Sequence, residues 1–376
     1  MASHFGRNIN IQIFGQSHSQ ALGVTIDGLP AGYVLDMGKI QAFLDRRRGG
    51  QNAYSTPRKE ADTPNIICGI VDDMTCGAPM TATFQNKDTR SADYDEQRTI
   101  PRPSHADYYA DEKYLGAQDY RGGGHFSGRM TLPLTFAGAV CVQILEKWDI
   151  HIGAHIDQIY TVLDQPFDPL KLTRKDLQGP QASDFPVNDP SVAGPMQQAI
   201  ADAAKEGDSV GGIIECAAIG LPIGAGSPMF EGIENQLARA IFGIPAVRGI
   251  EFGAGFDAAG MTGSEHNDAF TIDTPTPAPD SPESSCPGQA NITHQTNNAG
   301  GVVGGLTTGA PLIFRVAIKP TPSIAAQQDS VDLETMKPAK LNITGRHDPC
   351  IVPRAVPVVE AATAIVLVDE LVKSFE

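Results

Sequence analysis

Residues 121–139 read RGGGHFSGRMTLPLTFAGA, and they join three consecutive glycines to a helical pattern. The glycines at 122–124 can adopt backbone angles closed to other residues, and they let a ligand approach the main chain. Thr131 and Pro133 are typical of a helix start, and the residues around them predict a helix over 132–148. This stretch therefore predicts a glycine turn that meets a ligand at the start of a helix.

The composition indicates a globular protein with a large negative charge. The 376 residues are 41% hydrophobic, enough for a full core in one large domain or two ordinary ones. The formal net charge of −16 repels polyanions, which argues against nucleic acid or an anionic membrane as a partner. Because no basic segment followed by an apolar stretch opens the sequence, and acidic residues interrupt the apolar run 361–372, we expect a cytoplasmic protein.

The cysteines and histidines carry no signature of a metal site. Six cysteines are scattered without a CxxC spacing, which favours reduced thiols over disulfides or zinc. His151 and His155 are four residues apart, but the apolar residues around them alternate, which indicates a strand and not a zinc-binding helix. We therefore expect no metal.

Short β-branched segments alternate with helical segments along the chain. Strands are predicted where such segments are bounded by glycine or proline, and helices where capping residues precede apolar spacing of the helical kind. The fold class is accordingly α/β or α+β, with helices packed on sheets. The predicted strands are 8–14, 23–27, 65–71, 80–84, 211–219, 247–252 and 312–318. The predicted helices are 37–47, 132–148, 195–205, 231–242 and 356–373.

Two segments resemble each other. GVTIDGLPAG (23–32) and GIIECAAIGLPIGAG (212–226) are both β-rich, contain GLPxG and precede an amphipathic helix. An internal duplication of a strand-turn-helix unit explains the similarity, and so does chance.

One segment departs from the regular alternation. Residues 274–301 contain five prolines amid serine, threonine and asparagine, which predicts a long loop. Such a loop is either a surface excursion or a lid over a site.

Two histidine-bearing stretches could move protons. In GQSHS (15–19), His18 follows a predicted strand, where a loop can hold the imidazole toward a cleft, although a structural histidine is the simpler interpretation of this motif alone. In PRPSHADYY (101–109), His105 lies near Arg102 in a frame stiffened by prolines. Histidine exchanges protons near neutral pH, so both are candidates for acid–base work.

Two further stretches could bind anions. RRRGGQNAYSTPRKE (46–60) places three arginines at a helix end, where they either cap the helix dipole or hold a phosphate or carboxylate through paired N–H groups. GRHDPC (345–350) joins Arg346, His347 and Asp348 ahead of a proline. Together with the glycine run, whose N–H groups could cradle a phosphate, these stretches indicate a site for an anionic ligand.

Motifs along nearly the whole chain resemble those of the chorismate synthase family, in the family's order. The N-terminal, central and C-terminal motifs are GQSHSQALGVTIDGLP (15–30), RGGGHFSGRMTLPLTFAGA (121–139) and GRHDPCIVPRAVPVVEA (345–361). Between them fall PRPSHADY (101–108), NNAGGVVGGLTTG (297–309) and KPTPSI (319–324). The nucleotide-binding alternatives lack their motifs, since no GxGxxG follows the first strand and no GxxxxGK[ST] occurs.

The resemblance implies a fold and an activity. The fold is a single domain over residues 1–376 of the α+β class, a β-α-β sandwich with helices packed between antiparallel sheets, assembled as a homotetramer. The activity is that of a carbon–oxygen lyase of the shikimate pathway, in which anti-1,4-elimination of phosphate from 5-enolpyruvylshikimate 3-phosphate gives chorismate for aromatic amino acid biosynthesis. Reduced FMN is required without net redox change, and NAD(P)H is a candidate reductant to keep that flavin reduced.

The resemblance also implies roles for individual residues. His105 protonates the departing phosphate, His18 protonates the reduced flavin, Asp348 handles the proton at flavin N5, and Ser17 and Ser127 orient those protons. The implied flavin contacts are His125, Phe126, Ser127, Pro245, Ala246, Gly304, Lys319, Pro320, Thr321, Pro322, Ser323 and Arg346. The implied substrate contacts are Arg47, Arg48, Arg102, Arg129 and Arg346.

The chain departs from the family pattern at a few positions. Many members carry Arg-Ser-Ser where this chain has His125-Phe126-Ser127, so a backbone contact to flavin is expected there. A substrate-binding arginine of many members is replaced by Ala53, and Arg58 is the nearby candidate to compensate.

Two other functions agree with single motifs. A flavin enzyme with net hydride transfer agrees with the glycine loop and the proton-carrying residues, and a non-catalytic phospholigand-binding protein agrees with the arginine cluster. The ordered motifs favour the lyase over both.

Overall fold

The computed structural model describes residues 3–50, 60–87, 98–273, 291–343 and 348–375. The strands within these ranges are β1 (His4–Phe5), β2 (Asn10–Gly15), β3 (Ala21–Asp27), β4 (Asn65–Cys68), β5 (Ile70–Val71), β6 (Met74–Thr75), β7 (Met80–Gln85), β8 (His151–Ile159), β9 (Val162–Leu163), β10 (Gly212–Ile219), β11 (Val247–Phe252), β12 (Phe270–Asp273), β13 (Asn291–His294), β14 (Val302–Val303), β15 (Leu306–Thr307), β16 (Leu312–Ile318), β17 (Gln328–Asp332) and β18 (Lys337–Leu341). The helices are α1 (Met37–Arg47), α2 (Asp107–Tyr114), α3 (Thr131–Lys147), α4 (Arg174–Gln181), α5 (Pro190–Lys205), α6 (Ile233–Ile241), α7 (Gly263–His266) and α8 (Val352–Phe375).

Most predicted elements are present, and some boundaries are wrong for identifiable reasons. The segment 65–71 forms two strands and not one, because Gly69 (φ +94°) turns the chain between β4 and β5. Helix α5 begins at Pro190, before the predicted 195, because the preceding aspartate accepts a hydrogen bond from the first turn. Helix α8 also begins earlier than predicted, and Pro357 lies inside it.

Helices lie between two five-stranded antiparallel sheets. The strand order is β1-β2-β3-β7-β4 in the first sheet and β9-β8-β10-β16-β11 in the second. Helix α3 packs on β2, β3 and β7, helix α8 packs on β8 and β10, the two helices pack on each other, and α1 packs against both. The predicted α+β sandwich is therefore confirmed, with the core between the sheets.

The two halves of the chain repeat one topology. In chain order the first half runs β2-β3-α1-β4-β7-α3 and the second runs β8-β10-α6-β11-β16-α8, and the strands pair in corresponding order. The glycine after each second strand has the same surroundings, because a β-carbon at Gly28 or Gly220 would lie 2.2 Å from the carbonyl oxygen of Asn8 or Asp149, respectively. The similar segments found in the sequence thus occupy equivalent places in the two halves.

The central layer depends on a close crossing of two apolar helices. A β-carbon on Gly138 of α3 would lie 2.2 Å from Cβ of Ala361 on α8, so glycine is needed for this approach. The stretch Gly128–Lys147 is long and apolar enough to cross a membrane, and 83% of its most apolar window is buried inside the molecule. Its apolar character therefore has a sufficient cause in packing between the first sheet and α8.

A buried charged cluster joins the second sheet to the segment after β9. His155 lies on β8, the strand that the alternation predicted, and is fully buried, with Nδ1 2.9 Å from Asp164 Oδ2 and Nε2 2.9 Å from Glu215 Oε2. Asp164 also accepts hydrogen bonds from the backbone N–H groups of Asn188 and Asp189, which precede α5. The cluster therefore ties the start of α5 to the sheet.

Candidate active site

A cavity of about 620 Å³ lies where loops of both halves meet, and it is of a size typical for small-molecule sites. Most of the residues singled out in the sequence line it. These are Ser17, His18, Arg47, Arg48, Arg102, His105, His125, Phe126, Ser127, Arg129, Pro245, Ala246, Lys319, Thr321, Pro322, Ser323 and Asp348.

Some residues singled out in the sequence do not line this cavity. Gly304 is exposed at the turn between β14 and β15, and Pro320 is exposed between two lining residues. Arg346 lies outside the described residues, as do Ala53, Arg58 and most of the proline-rich loop.

The glycine run passes between two histidine rings. Gly122, Gly123 and Gly124 all have positive φ, at +59°, +79° and +54°. A β-carbon on Gly122 would lie 2.5 Å from His18 Nδ1, and one on Gly123 would lie 3.1 Å from His105 Cε1. The glycines therefore let two distant histidines approach one short segment of backbone.

His105 belongs to a compact group of charged side chains. Its Nδ1 lies 2.6 Å from Oδ1 of Asp107, the first residue of α2. Asp107 also accepts hydrogen bonds from Nε and Nη2 of Arg102, and Nη1 of Arg102 donates to Ser323 Oγ over 3.0 Å. The proton-carrying candidate and a candidate anion binder thus share one carboxylate.

Two buried arginines share a second carboxylate. Arg47 Nη1 lies 3.2 Å from Asp62 Oδ2, and Arg129 Nη1 lies 2.6 Å from Asp62 Oδ1. Burial lowers the pKa of Arg47 to about 9, although the charge of Asp62 opposes that effect. Arg129 Nη2 is buried and has no hydrogen-bond partner among the described residues, with Glu60 4.0 Å away. A buried donor without an acceptor costs folding free energy, and an acceptor atom of a bound ligand would remove that cost.

His125 uses both ring nitrogens within the protein. Nδ1 lies 2.7 Å from the carbonyl oxygen of Gly15, so it donates, and Nε2 then accepts from Ser3 Oγ over 2.7 Å. Phe126, next in the chain, is partly exposed on the cavity wall. The expectation of a backbone contact to flavin at this segment is compatible with these bonds.

The second half of the chain supplies the opposite wall. The turn from Phe242 to Val247 is apolar, and Ala246 within it accepts a hydrogen bond from the backbone N–H of Lys319 over 3.0 Å. Arg354 at the start of α8 donates through Nη1 to Asp348 Oδ2 over 2.5 Å and through Nε to the carbonyl oxygen of Arg47 over 2.9 Å. This arginine connects the two walls.

Among the described residues, the groups that line the cavity carry more positive than negative charge. The cations are Arg47, Arg48, Arg102, Arg129, Lys319 and Arg354, and the carboxylates are Glu60, Asp62 and Asp348. Burial lowers the pKa of Lys319, and Arg248 lowers it further. An acidic protein thus has a basic cavity, which is suited to an anionic ligand.

Comparison with known proteins gives one consistent result. The family profile described as chorismate synthase matches residues 9–372. The chain belongs to the chorismate synthase family. Chorismate synthases of Dehalococcoides mccartyi and Korarchaeum cryptofilum are each 42% identical to it over 98% of this chain and 96% and 97% of theirs. The chorismate synthase of Thermococcus gammatolerans is 43% identical over 98% of this chain and 97% of its own.

A solved structure supports the same family. A crystal structure of a chorismate synthase superimposes with a TM-score of 0.72 and 26% identity, covering 98% of this chain and 93% of that one. Chorismate synthases are enzymes, carbon–oxygen lyases that act on phosphates, and the ligand of such an enzyme is a small molecule.

The stretches quoted from the sequence already contained several site residues that the sequence analysis did not single out. Asp107 stands two residues after His105 in one quoted stretch, Arg354 stands in the C-terminal motif, and Glu60 ends the arginine-rich stretch. Asp62 lies just beyond that stretch, at φ +51°, and only its pairing with two arginines reveals it.

Proposed function

We propose that this protein eliminates phosphate from 5-enolpyruvylshikimate 3-phosphate in an anti-1,4 sense and releases chorismate, with reduced FMN bound and no net redox change. The observation that carries the proposal is the cavity in which His18 and His105 flank one glycine run among buried arginines. Proton-carrying groups beside an excess of positive charge suit the departure of phosphate from a polyanion. Membership of the chorismate synthase family supports the same reaction.

The arginines bind the phosphate and carboxylates of the substrate in this proposal. Arg129 has a buried Nη2 that finds no acceptor in the described part of the chain, and Arg47 is held beside it by Asp62. Guanidinium groups match such oxygens through paired N–H donors. The same role falls to Arg48, Arg102 and, by its motif, Arg346.

His105 is the general acid for the departing phosphate. Its Nδ1 is occupied by Asp107, and its Nε2 makes no hydrogen bond to any described residue. Nε2 is therefore the nitrogen left to meet a ligand. Arg102, 3.1 Å from Nδ1, would bind the phosphate close to this acid.

His18 and Asp348 hold protons beside the flavin. The ring of His18 lies against Gly122, and the buried Ser17 lies nearby. In this proposal Ser17 orients the ring of His18. Asp348 is fixed by Arg354, so its carboxylate can accept a proton at a defined place. Ser127 lines the cavity and completes the set of groups proposed to move or orient protons.

The residues of the cavity fit a flavin. Ile244 and Val247 belong to an apolar wall on which a planar ring could lie, and Thr321 and Ser323 bring hydroxyl groups to the same wall. Bound reduced FMN would supply electron density to the substrate as phosphate leaves and would collect the proton lost from carbon. The role that the proposal leaves for NAD(P)H is to keep this cofactor reduced, and chemically reduced FMN serves in its place.

We extend the proposal to a homotetramer in the cytoplasm, built of single-domain chains. Phe270, Ile272 and Ile292 of the β12–β13 hairpin are exposed, and such groups of apolar side chains favour association. Gly304 does not line the cavity of its own chain. In the proposed tetramer it contacts a flavin that is bound by a neighbouring copy. Sedimentation analysis distinguishes a tetramer from a monomer.

The reaction can be tested directly without oxygen. The protein is mixed with chemically reduced FMN and 5-enolpyruvylshikimate 3-phosphate, and phosphate, chorismate and the flavin spectrum are followed together. We expect phosphate and chorismate in equal amounts over many turnovers, with the flavin still reduced at the end. An enzyme with net hydride transfer would oxidise one flavin for each product formed. A binding protein would change the flavin spectrum and release no phosphate, and either outcome rejects the proposal.

A further inference from the structure

We propose that Asp107 is a positioning residue for His105: it binds Nδ1 of the ring and so directs Nε2, the nitrogen that donates the proton, toward a ligand next to the anion-binding Arg102. The inference rests on the proposed function, since it assigns the group that prepares the acid for that reaction. The juxtaposition of one carboxylate with an imidazole and a guanidinium carries it.

The contacts place a proton on Nδ1 of His105. The 2.6 Å separation between Nδ1 and Asp107 Oδ1 requires a hydrogen between them, because two acceptors would repel at that distance. The carboxylate is ionised, because Arg102 donates to it through Nε over 2.7 Å and through Nη2 over 2.8 Å. The proton between the two groups therefore belongs to the histidine.

The negative charge of Asp107 lowers the electrostatic cost of a second proton on the His105 ring. Arg102 Nη2 lies only 3.1 Å from Nδ1, and a cation so close disfavours an imidazolium. Asp107 Oδ1 contacts both groups, at 2.6 Å from Nδ1 and 2.8 Å from Nη2, and its negative charge compensates one positive charge. Burial alone would raise the pKa of the Asp107 carboxyl, but hydrogen bonds from Arg102 and His105 outweigh it and hold that pKa well below its usual value. The other charged side chains that the described residues bring to the two cavities bordering this ring are Arg98, Asp111, Asp119, Lys319 and, elsewhere in the main cavity, Glu60, Asp62, Asp348 and the remaining arginines.

The carboxylate is held rigidly enough to set a direction. Asp107 is the first residue of α2, and its Oδ2 also accepts the backbone N–H of Arg102 over 3.1 Å. The side chain is nearly buried, with 12% of its surface exposed. A ring tied through Nδ1 to such a group can turn only its Nε2 toward a ligand, which is the requirement for a general acid.

Protonation of His105 can be measured without turnover. Deuterium exchange at the imidazole Cε1, followed by mass spectrometry across pH, reports the midpoint of protonation for a single histidine. We expect that midpoint to fall to lower pH in Asp107→Asn and to stay unchanged in Asp111→Asn, a carboxylate one turn further along α2 that bonds Gln118. The same midpoint in Asp107→Asn as in the unsubstituted protein would overturn the proposal. Asp107→Glu keeps the charge and should restore the midpoint in part, which guards against a folding defect in the amide variant.

Turnover gives an independent test through a double-mutant cycle. Asp107→Asn should lower kcat roughly tenfold or more, as part of the roughly 10²-fold that a general acid contributes, and should move the alkaline limb of the kcat profile to lower pH. It should add nothing further in a His105→Ala background, because Asp107 acts through that ring. If Asp107→Asn lowers kcat by the same factor in His105→Ala as in the unsubstituted protein, Asp107 has a structural role instead. If the unsubstituted protein releases no phosphate, the proposed reaction fails, while the exchange measurement still decides whether Asp107 controls His105.

Discussion

A β-carbon on Gly122 would lie 2.4 Å from Cε1 of His18, so this position accepts only glycine while the ring keeps its place. Gly122→Ala should therefore displace His18 and lower kcat for phosphate release by roughly tenfold or more, a part of what proton transfer contributes. Steady-state phosphate release under reducing conditions measures the effect.

Gly116→Ala is the matched control for that variant. Gly116 also has positive φ, at +74°, but its nearest neighbour would be 3.7 Å from an added β-carbon. Both variants suffer backbone strain, and only one suffers the collision. Equal activities in the two variants would mean that the contact with His18 is unimportant.

His105→Ala should lower turnover by roughly 10²-fold or more, because the departing phosphate loses its proton donor. Flavin binding, measured by fluorescence quenching, should change little. His151→Ala, on the second sheet and paired with the exposed Asp149, should leave turnover unchanged. Turnover near the unsubstituted level would remove His105 from the mechanism.

Asp62→Asn should destabilise the fold, because it leaves Arg47 and Arg129 buried without their common counter-charge. Breaking a buried ion pair costs about 3–5 kcal/mol of unfolding free energy. Asp329→Asn, which breaks an exposed pair with Lys340, should cost about 1 kcal/mol or less. Denaturant unfolding compares the two, and similar losses would contradict the assignment of Asp62 as a buried clamp.

His155 should make the protein less stable in alkaline solution. Burial lowers the pKa of this imidazole, but hydrogen bonds with Asp164 and Glu215 outweigh it and raise the pKa from 6.5 to about 9. A raised pKa in the folded state contributes stability that is complete below pH 6.5 and is lost as pH rises through about 9. The unfolding free energy should fall across that window, and the fall should be smaller in His155→Gln. If the unfolding free energy falls equally with pH in both proteins, His155 is not the cause of the fall.

The regular elements and the motif residues could be predicted from the sequence. Strands 247–252 and 312–318 were found to the residue, because glycine or proline bounds their β-branched cores. Most residues that line the cavity stand in the stretches quoted from the sequence, because several of these stretches form loops or helix ends at the cavity wall. Capping could also have predicted α4, because Thr173 and Asp176 form a capping box at its start.

The remaining features depend on contacts that a single sequence does not contain. Helix α2 reads DYYADEKY, without apolar spacing or a side-chain cap, so no local signal predicts it. The pairing of Arg47 with Arg129 through Asp62 joins three separate segments, and no spacing rule relates them. The sequence likewise predicts only that the glycine run lets a ligand approach the backbone. The closeness of the two histidine rings to these glycines arises from the tertiary structure.

The repeated topology of the two halves has a stereochemical consequence. Had both halves kept the same side chains, a ligand between them would meet similar groups in two opposed orientations. Instead, in the described part of the chain, the histidines that line the cavity come from the first half, while Lys319, Asp348 and Arg354 come from the second. Walls this unlike give a ligand one preferred orientation, and a fixed orientation determines which face of a ring loses its proton.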